Sequence, residues 1–87
     1  MTDTQLLQEF ESLAERLDVQ VSRADLEGSP GGFCVIRGER RLILDQTLDI
    51  RTQVEFFARE LARIPLEEIF MPPRVRDTID SYREAQV

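Results

Sequence analysis

A hairpin in the middle of the chain constrains the fold most. Two apolar runs, residues 33–37 and 41–44, stand either side of Gly38-Glu39, and glycine at the first central position favours a type II′ turn. Pairing Arg37 with Arg40 brings one apolar set of side chains to a common face, namely Phe33, Val35, Leu42 and Leu44. The other face is mixed and carries Cys34, Ile36, Arg41 and Ile43. We therefore expect helices to pack on the first face.

Amphipathic segments flank this hairpin on both sides. Apolar residues at helical spacing and a short alternating stretch predict further elements in chain order: a helix over 3–17, a strand over 19–23, a glycine-rich loop over 27–32, and helices over 50–64 and 74–84. The sequence thus predicts an α+β fold. It consists of an N-terminal helix, a three-stranded antiparallel meander, a central helix and a short C-terminal helix.

Local signals mark the starts of the predicted helices. Thr2 and Gln5 form a capping box for the first helix, and Asp49 is a good N-cap for the central one. Pro72-Pro73 suits the first positions of the last helix. These residues fix the helix starts more firmly than periodicity alone would.

The composition indicates one small globular domain over residues 1–87. Apolar residues make up 41% of the chain, which is enough for a core. The net charge of −6 at pH 7 argues against nucleic acid and against an anionic membrane as partners, because both would repel the domain. A single cysteine, Cys34, fits a reducing compartment, and no stretch approaches the ~20 apolar residues of a membrane span. We therefore expect a cytoplasmic protein.

The basic residues restrict the chemistry available to the chain. It contains no histidine and no lysine, so all eleven basic residues are arginine. The usual general base of serine and cysteine nucleophiles is therefore missing, and Schiff-base chemistry is excluded. No metal site, cofactor or catalytic residue is expected. The weaker alternative is a metal-independent hydrolase using Glu60, for which the remaining groups are Glu67, Glu68, Cys34 and Tyr82.

A stretch of the central region resembles a known family. The resemblance runs through Leu42-Ile43-Leu44-Asp45, Leu48, Gln53, Phe57-Ala58-Arg59-Glu60-Leu61-Ala62-Arg63 and Phe70-Met71-Pro72. This pattern is similar to the core of the IrrE/ImmA-type zincin-like metallopeptidases, whose helix bears His-Glu-x-x-His. The resemblance implies a minimal zincin-like core of roughly a third of the chain.

In that comparison the signature positions are altered. The resemblance implies that Arg59 and Arg63 stand at two metal-ligand positions and Glu60 at the general-base position. Glu67 or Glu68 would answer to the third ligand. Arginine stays protonated and offers no lone pair, so it cannot ligate zinc. The resemblance therefore implies an inactive, metal-free relative of these peptidases.

A charged helix face explains the same residues without any common ancestry. At helical spacing, Arg59 pairs with Glu55, Glu60 with Arg63, and Arg63 with Glu67. Each exposed pair of this kind stabilises a helix by only about 0.3–0.5 kcal/mol. Both interpretations remain open at this stage, and they are compatible with each other.

Exposed apolar residues predict a protein-interaction or dimerisation module. The helical period places Phe56 on the charged side of the central helix, where either the C-terminal segment or another chain must cover it. Ile36 and Ile43 add apolar surface on the mixed face of the hairpin. The expected partner is a second copy or another protein.

Arginine clusters predict a different kind of binding. Arg37, Arg40 and Arg41 gather at the tip of the hairpin, and Arg59 and Arg63 form a second pair. Guanidinium groups bind carboxylates well, so an anion or an acidic peptide is the expected ligand. Arginine at a turn also serves simply to guard a sheet edge.

Overall fold

Within residues 1–29 and 31–85, which the computed structural model describes, the chain forms three helices and three strands. In chain order the elements are α1 (Asp3–Arg16), β1 (Val19–Ala24), β2 (Gly31–Ile36), β3 (Glu39–Asp45), α2 (Ile50–Leu61) and α3 (Pro73–Ala85). The predicted α+β class is therefore confirmed. None of the helices in this part of the chain is long and apolar enough to cross a membrane.

The predicted antiparallel meander is wrong, because β3 lies in the centre of the sheet. The strand order is β1-β3-β2, with β1 parallel to β3 and β2 antiparallel to it. Leu42 and Leu44 of β3 are fully buried. The strand β2 begins with two glycines, which weaken a strand interior, and its side chains are at most half-buried. The strand with the best-buried side chains therefore takes the centre, and β2 becomes an edge.

The turn of the hairpin falls one residue earlier than the type II′ prediction. Arg37 and Gly38 are the central residues, with φ of 54° and 81°, which defines a type I′ turn. Ile36 pairs with Glu39, so the register differs by two residues from the predicted Arg37–Arg40 pairing. A shift of two keeps the predicted faces. It also moves Val35 opposite Arg40, where Val35 is 59% exposed rather than part of the core.

The hydrophobic core lies between one face of the sheet and the helices. Phe10 of α1 and Phe57 of α2 are fully buried and stack with ring centroids 6.1 Å apart. Leu42 and Leu44 meet them from the sheet, with Phe33 at the margin. The opposite sheet face carries side chains that are exposed or half-exposed, among them Gln20, Ser22, Cys34, Ile36 and Ile43. The sheet therefore has one covered face and one open face.

The predicted helix caps are present. Thr2 and Gln5 form the reciprocal capping box of α1, and the Asp49 carboxylate accepts from the backbone N–H of Thr52 at 2.8 Å. The helix α2 is shorter than the predicted 50–64 and ends at Leu61. The N–H groups of Arg63 and Ile64 bond three residues back, to Glu60 and Leu61, so the apolar pattern after Leu61 belongs to a turn.

Three arginines hold the connection between α2 and α3. Their guanidinium groups donate to backbone carbonyl oxygens over 2.5–3.3 Å. The acceptors are Ala62 and Ile64 for Arg83, Leu66 and Ile69 for Arg76, and Phe70 for Arg16. Charged donors near a helix C-terminus also interact favourably with its dipole. This segment therefore has a fixed backbone although it contains no regular structure.

Asp45 ties the end of β3 to the loop after β1. Its carboxylate accepts from the backbone N–H of Leu26 at 2.9 Å and from the hydroxyl and N–H of Thr47. The hydrogen bond from Leu26, and then that from the Thr47 side chain, lower the pKa of Asp45 below its ordinary value of 3.8, although partial burial opposes them.

Because of the Asp45 carboxylate, the free energy of unfolding depends on pH in the acid range. Because its pKa is lower in the folded state, the stabilisation is fully present above about pH 4 and is lost as the pH falls through the folded pKa. We expect Asp45→Asn to lower the free energy of unfolding at pH 7, and the difference from wild type to shrink at pH 3. Urea unfolding at both pH values measures this; an equal difference at the two pH values would contradict it.

Candidate functional site

The Arg-Glu-x-x-Arg positions lie at the C-terminal end of α2. Glu60 is only 6% exposed, whereas Arg59 and Arg63 are exposed. Arg59 Nε is 3.7 Å from Oε1 of Glu60, and Arg63 Nε is 3.5 Å from Oε2. Of the predicted pairs, Glu60 with Arg63 is confirmed, while Glu55 pairs with Arg51 instead, at 3.4 Å. One buried carboxylate is thus neutralised between two guanidinium groups.

The backbone around Arg63 departs from the geometry of a helical ligand pair. Arg63 lies beyond the end of α2, and its N–H bonds to the carbonyl of Glu60 at 3.2 Å, three residues back. This tightened turn displaces Arg63 from the position one regular turn after Arg59. Glu67 and Glu68 lie exposed in the following segment. Among residues 1–29 and 31–85, no group of three or more His, Cys, Asp or Glu side chains could hold a metal.

Of the two covers that the sequence left open for Phe56, the C-terminal segment or another chain, the structure contains the first. Phe56 is 3% exposed, because α2 is buried on several sides rather than along one stripe. The guanidinium carbon of Arg59 stands 5.3 Å from the centroid of its ring, within the range of a cation–π contact. Tyr82 of α3 faces the same space. The chain itself therefore covers Phe56, so this ring offers no surface to a partner.

A small cleft borders this part of α2. It has a volume of about 130 Å³ and is lined by Thr52, Glu55, Phe56, Arg59 and Tyr82. This space has room for no more than a few water molecules, since each occupies about 30 Å³ in the liquid. The cleft includes Arg59 but neither Glu60 nor Arg63. It therefore does not join the three signature positions into one active site.

The hairpin tip brings together the other predicted arginines. Arg37 and Arg40 are exposed, and in the described part of the chain neither belongs to an ion pair. Arg41 is half-buried and pairs with Glu39 at 3.0 Å. The tip therefore keeps a net positive charge that can contact an acidic group. Arg59 and Arg63, the second predicted pair, are already engaged with Glu60.

The sequence indicated Ile36 as exposed apolar surface, but it did not show that the whole strand β2 lies at an edge of the sheet. No charged residue occurs from Gly31 to Ile36, and Val35 and Ile36 are 59% and 48% exposed. We call this strand and its unpaired side the β2 edge. The two glycines and the absence of charge were visible in the sequence. They did not indicate an exposed edge, because the predicted meander placed β2 in the centre of the sheet.

A shallow depression adjoins the β2 edge on the open face of the sheet. Its volume is about 320 Å³, and its lining is mainly apolar: Leu26, Ser29, Gly31, Gly32, Phe33, Cys34 and Ile43. Gly32 leaves space where a side chain would stand in an ordinary strand, since a Cβ there would meet no atom within 4 Å. The β2 edge is therefore accessible both from the side and from the open face.

Comparisons with protein families, with curated proteins and with solved structures gave no match to this chain.

Proposed function

We propose that this chain is a non-catalytic protein-interaction domain that binds an extended segment at the β2 edge. The observation that carries this proposal is an uncharged, apolar strand on the outside of the sheet. Natural proteins usually protect such strands with charges, proline or a covering element, because an open edge pairs with other chains. Val35 and Ile36 are exposed instead. An unprotected edge of this kind is best explained by a partner.

The hydrogen-bond pattern of the hairpin identifies the groups available to that partner. Ile36 and Glu39 flank a two-residue turn, so they form a hydrogen-bonded pair. In an antiparallel ladder such pairs alternate with non-hydrogen-bonded ones. Phe33 and Val35 belong to the second kind, and their backbone N–H and C=O groups point away from β3. These groups can bond an added strand.

The two edges of the sheet differ in a way that favours β2. The other edge strand, β1, carries Gln20, Ser22 and Arg23 among its six residues. Arg23 is held there by Gln53 and by Glu11, with which it forms an ion pair at 2.5 Å. The strand β2 has neither charge nor polar side chains apart from the thiol of Cys34. A partner strand therefore gains apolar burial at β2 that it cannot gain at β1.

The arginines of the hairpin tip give the β2 edge a charge preference. Arg37 directly follows the strand, and Arg40 lies opposite Val35. An extended segment with acidic residues would place carboxylates near these groups. Acidic-peptide binding and strand addition are thus parts of the same proposal, and the exposed position of the arginines makes this contribution modest.

For α2 we propose a metallopeptidase-like helix that has lost its chemistry. In support, Glu60 occupies the general-base position but is buried and paired with two arginines. A metal-independent hydrolase using Glu60 is the weaker alternative, because this carboxylate is buried and lies between two guanidinium groups, which leaves a substrate little access to it. Stoichiometric zinc in the purified protein, or peptide hydrolysis abolished by Glu60→Gln, would contradict the non-catalytic proposal.

A peptide titration tests strand binding directly. A short peptide alternating valine and glutamate is added to the protein, and backbone amide shifts are followed by NMR. We expect shifts in β2, and Val35→Pro should weaken binding by about tenfold or more, because proline removes an N–H that points to the free edge. Proline is tolerated on an edge strand, so the domain should still fold; thermal unfolding of the variant checks this.

Two further variants separate the contributions of the Val35 side chain and of the Arg40 charge from that of the Val35 backbone N–H. Val35→Ala shortens the same side chain but keeps the N–H, so it should weaken binding far less than Val35→Pro. Arg40→Ala should weaken it about two- to fivefold, as expected for an exposed charge pair. Equal binding by Val35→Pro and wild type would contradict the proposal.

A further inference from the structure

We infer that the segment bound at the β2 edge is the β2 strand of a second copy, paired antiparallel about a two-fold axis. This inference rests on the proposed function and names its partner. It joins two sheets into one of six strands, in the order β1-β3-β2-β2-β3-β1. The pairing is self-complementary, as a two-fold interface requires.

The charges at the two ends of β2 favour this orientation. Arg37 directly follows the C-terminal end of the strand, and Arg40 and Arg41 lie on β3 opposite Val35 and Cys34, so arginines outnumber Glu39 in this half of the hairpin. In the connection from β1 to β2, which we call the acidic loop, Asp25 directly follows β1 and Glu27 lies nearer to β2 in the sequence; both carboxylates are exposed. An antiparallel pair places the tip of each copy beside the acidic loop of the other. A parallel pair would place tip against tip and loop against loop, with like charges together.

The free backbone groups select a register. Phe33 and Val35 direct their N–H and C=O groups outward, so Phe33 of one copy bonds best with Val35 of the second copy. This register puts the two Cys34 residues opposite each other on the axis. They form a non-hydrogen-bonded pair, in which the Cα atoms are about 4.5 Å apart. Such a separation lies within the range that a disulfide can bridge.

Apolar burial and local charge pairing favour association of the two copies, whereas their net charge opposes it. Pairing covers part of Val35 and Ile36, which are the exposed apolar side chains of the edge. Each copy carries a net charge of −6, so two copies repel each other at long range. Association through a small interface under these conditions is expected to be weak. Its dependence on salt then shows which effect dominates.

A charge exchange tests the orientation. Sedimentation equilibrium from micromolar to millimolar concentration gives the dimer dissociation constant of each variant. Glu27→Arg should weaken the dimer about threefold to tenfold, because it places like charges together. Adding Arg40→Glu in the same chain should restore the wild-type constant. The control is Glu67→Arg, which makes the same charge change at an exposed site outside β2 and should have no specific effect.

Salt provides a second readout of the same contacts. If the tip and the acidic loop hold the copies together, raising the salt from about 0.05 M to about 0.5 M weakens the dimer. If overall repulsion dominates, the same change strengthens it, and the charge argument for the orientation fails.

Cross-linking tests the register. Oxidation of the protein with diamide should join two chains through Cys34 much faster than it joins a variant in which Cys34→Ser is combined with Glu67→Cys. In the inferred register two Cys34 thiols adjoin, whereas position 67 is an exposed site outside β2. Cys34→Ser should form the same dimer without oxidant, because the inferred association does not need the disulfide.

The outcomes separate this inference from the proposed function. A protein that stays monomeric at millimolar concentration but binds the valine–glutamate peptide overturns the second copy and keeps the strand-binding edge. A dimer unaffected by Val35→Pro and Glu27→Arg overturns the inference, because its interface lies elsewhere. A monomer that binds no peptide overturns both.

Discussion

Replacing Gly31 with alanine is expected to lower the free energy of unfolding by about 2–6 kcal/mol, the sum of backbone strain and overpacking. Gly31 has a φ of +127°, which side-chain-bearing residues rarely adopt. A Cβ atom at this position would stand 1.9 Å from the carbonyl oxygen of Ile43 in the neighbouring strand. Backbone atoms must move to relieve that clash, so the start of β2 should detach from β3.

The adjacent glycine offers a matched control. A Cβ on Gly32 would have no atom within 4 Å. Gly32→Ala should therefore be neutral, or stabilising by about 0.4–1 kcal/mol, because alanine lowers the entropy of the unfolded chain. Urea unfolding of both variants measures the contrast. Equal stability of Gly31→Ala and Gly32→Ala would show that β2 does not approach β3 as described.

Replacing Phe56 with alanine is expected to cost about 3–5 kcal/mol, as for other large aromatic side chains in a core. Phe56 is 3% exposed and lies beneath the guanidinium of Arg59. Domains of this length have a total stability on the order of 4–13 kcal/mol, so the variant should lose much of its margin. Thermal and urea unfolding measure the change.

The same substitution at another phenylalanine supplies the comparison. Phe70 is 82% exposed, so Phe70→Ala should change stability by no more than about 0.5 kcal/mol. If Phe56→Ala were as mild as Phe70→Ala, the C-terminal segment of its own chain would not cover Phe56. The aromatic contact with a second chain would then return as a candidate interface.

Features set by local interactions could be predicted from the sequence. The capping box of Thr2 and Gln5 and the N-cap of Asp49 depend on residues three positions apart, and both are present. The apolar periods located three helices and three strands. The end of α2 was misplaced because Arg83, distant in sequence, donates to the carbonyls of Ala62 and Ile64. No local signal reveals a cap of that kind.

The strand order depends on packing that local patterns do not contain. Alternation placed Leu42 and Leu44 on a buried face, but it could not tell that their strand would lie in the centre. The turn was assigned to Gly38-Glu39 because glycine suits the first central position of a type II′ turn. In the structure the central residues are Arg37-Gly38. Arg37 adopts a positive φ, which is uncommon for arginine and could not be expected from its residue type.

The candidate site was predicted in part. The pairing of Glu60 with Arg63 follows from helical spacing and is present, and the arginines of the hairpin tip do lie together. The burial of Phe56 and the exposure of the β2 edge both follow from the position of α3 and of β3, so they required the tertiary structure. The resemblance to zincin-like peptidases remains a proposal, supported by the position of Glu60 between two arginines.

Amide hydrogen exchange in β2 tests the strand-binding edge most directly. With rising protein concentration, or with added valine–glutamate peptide, the amides of Phe33 and Val35 should exchange more slowly. Those of Cys34 and Ile36, which already bond to β3, should change little. Rapid exchange of Phe33 and Val35 under every condition would mean that nothing pairs with this edge.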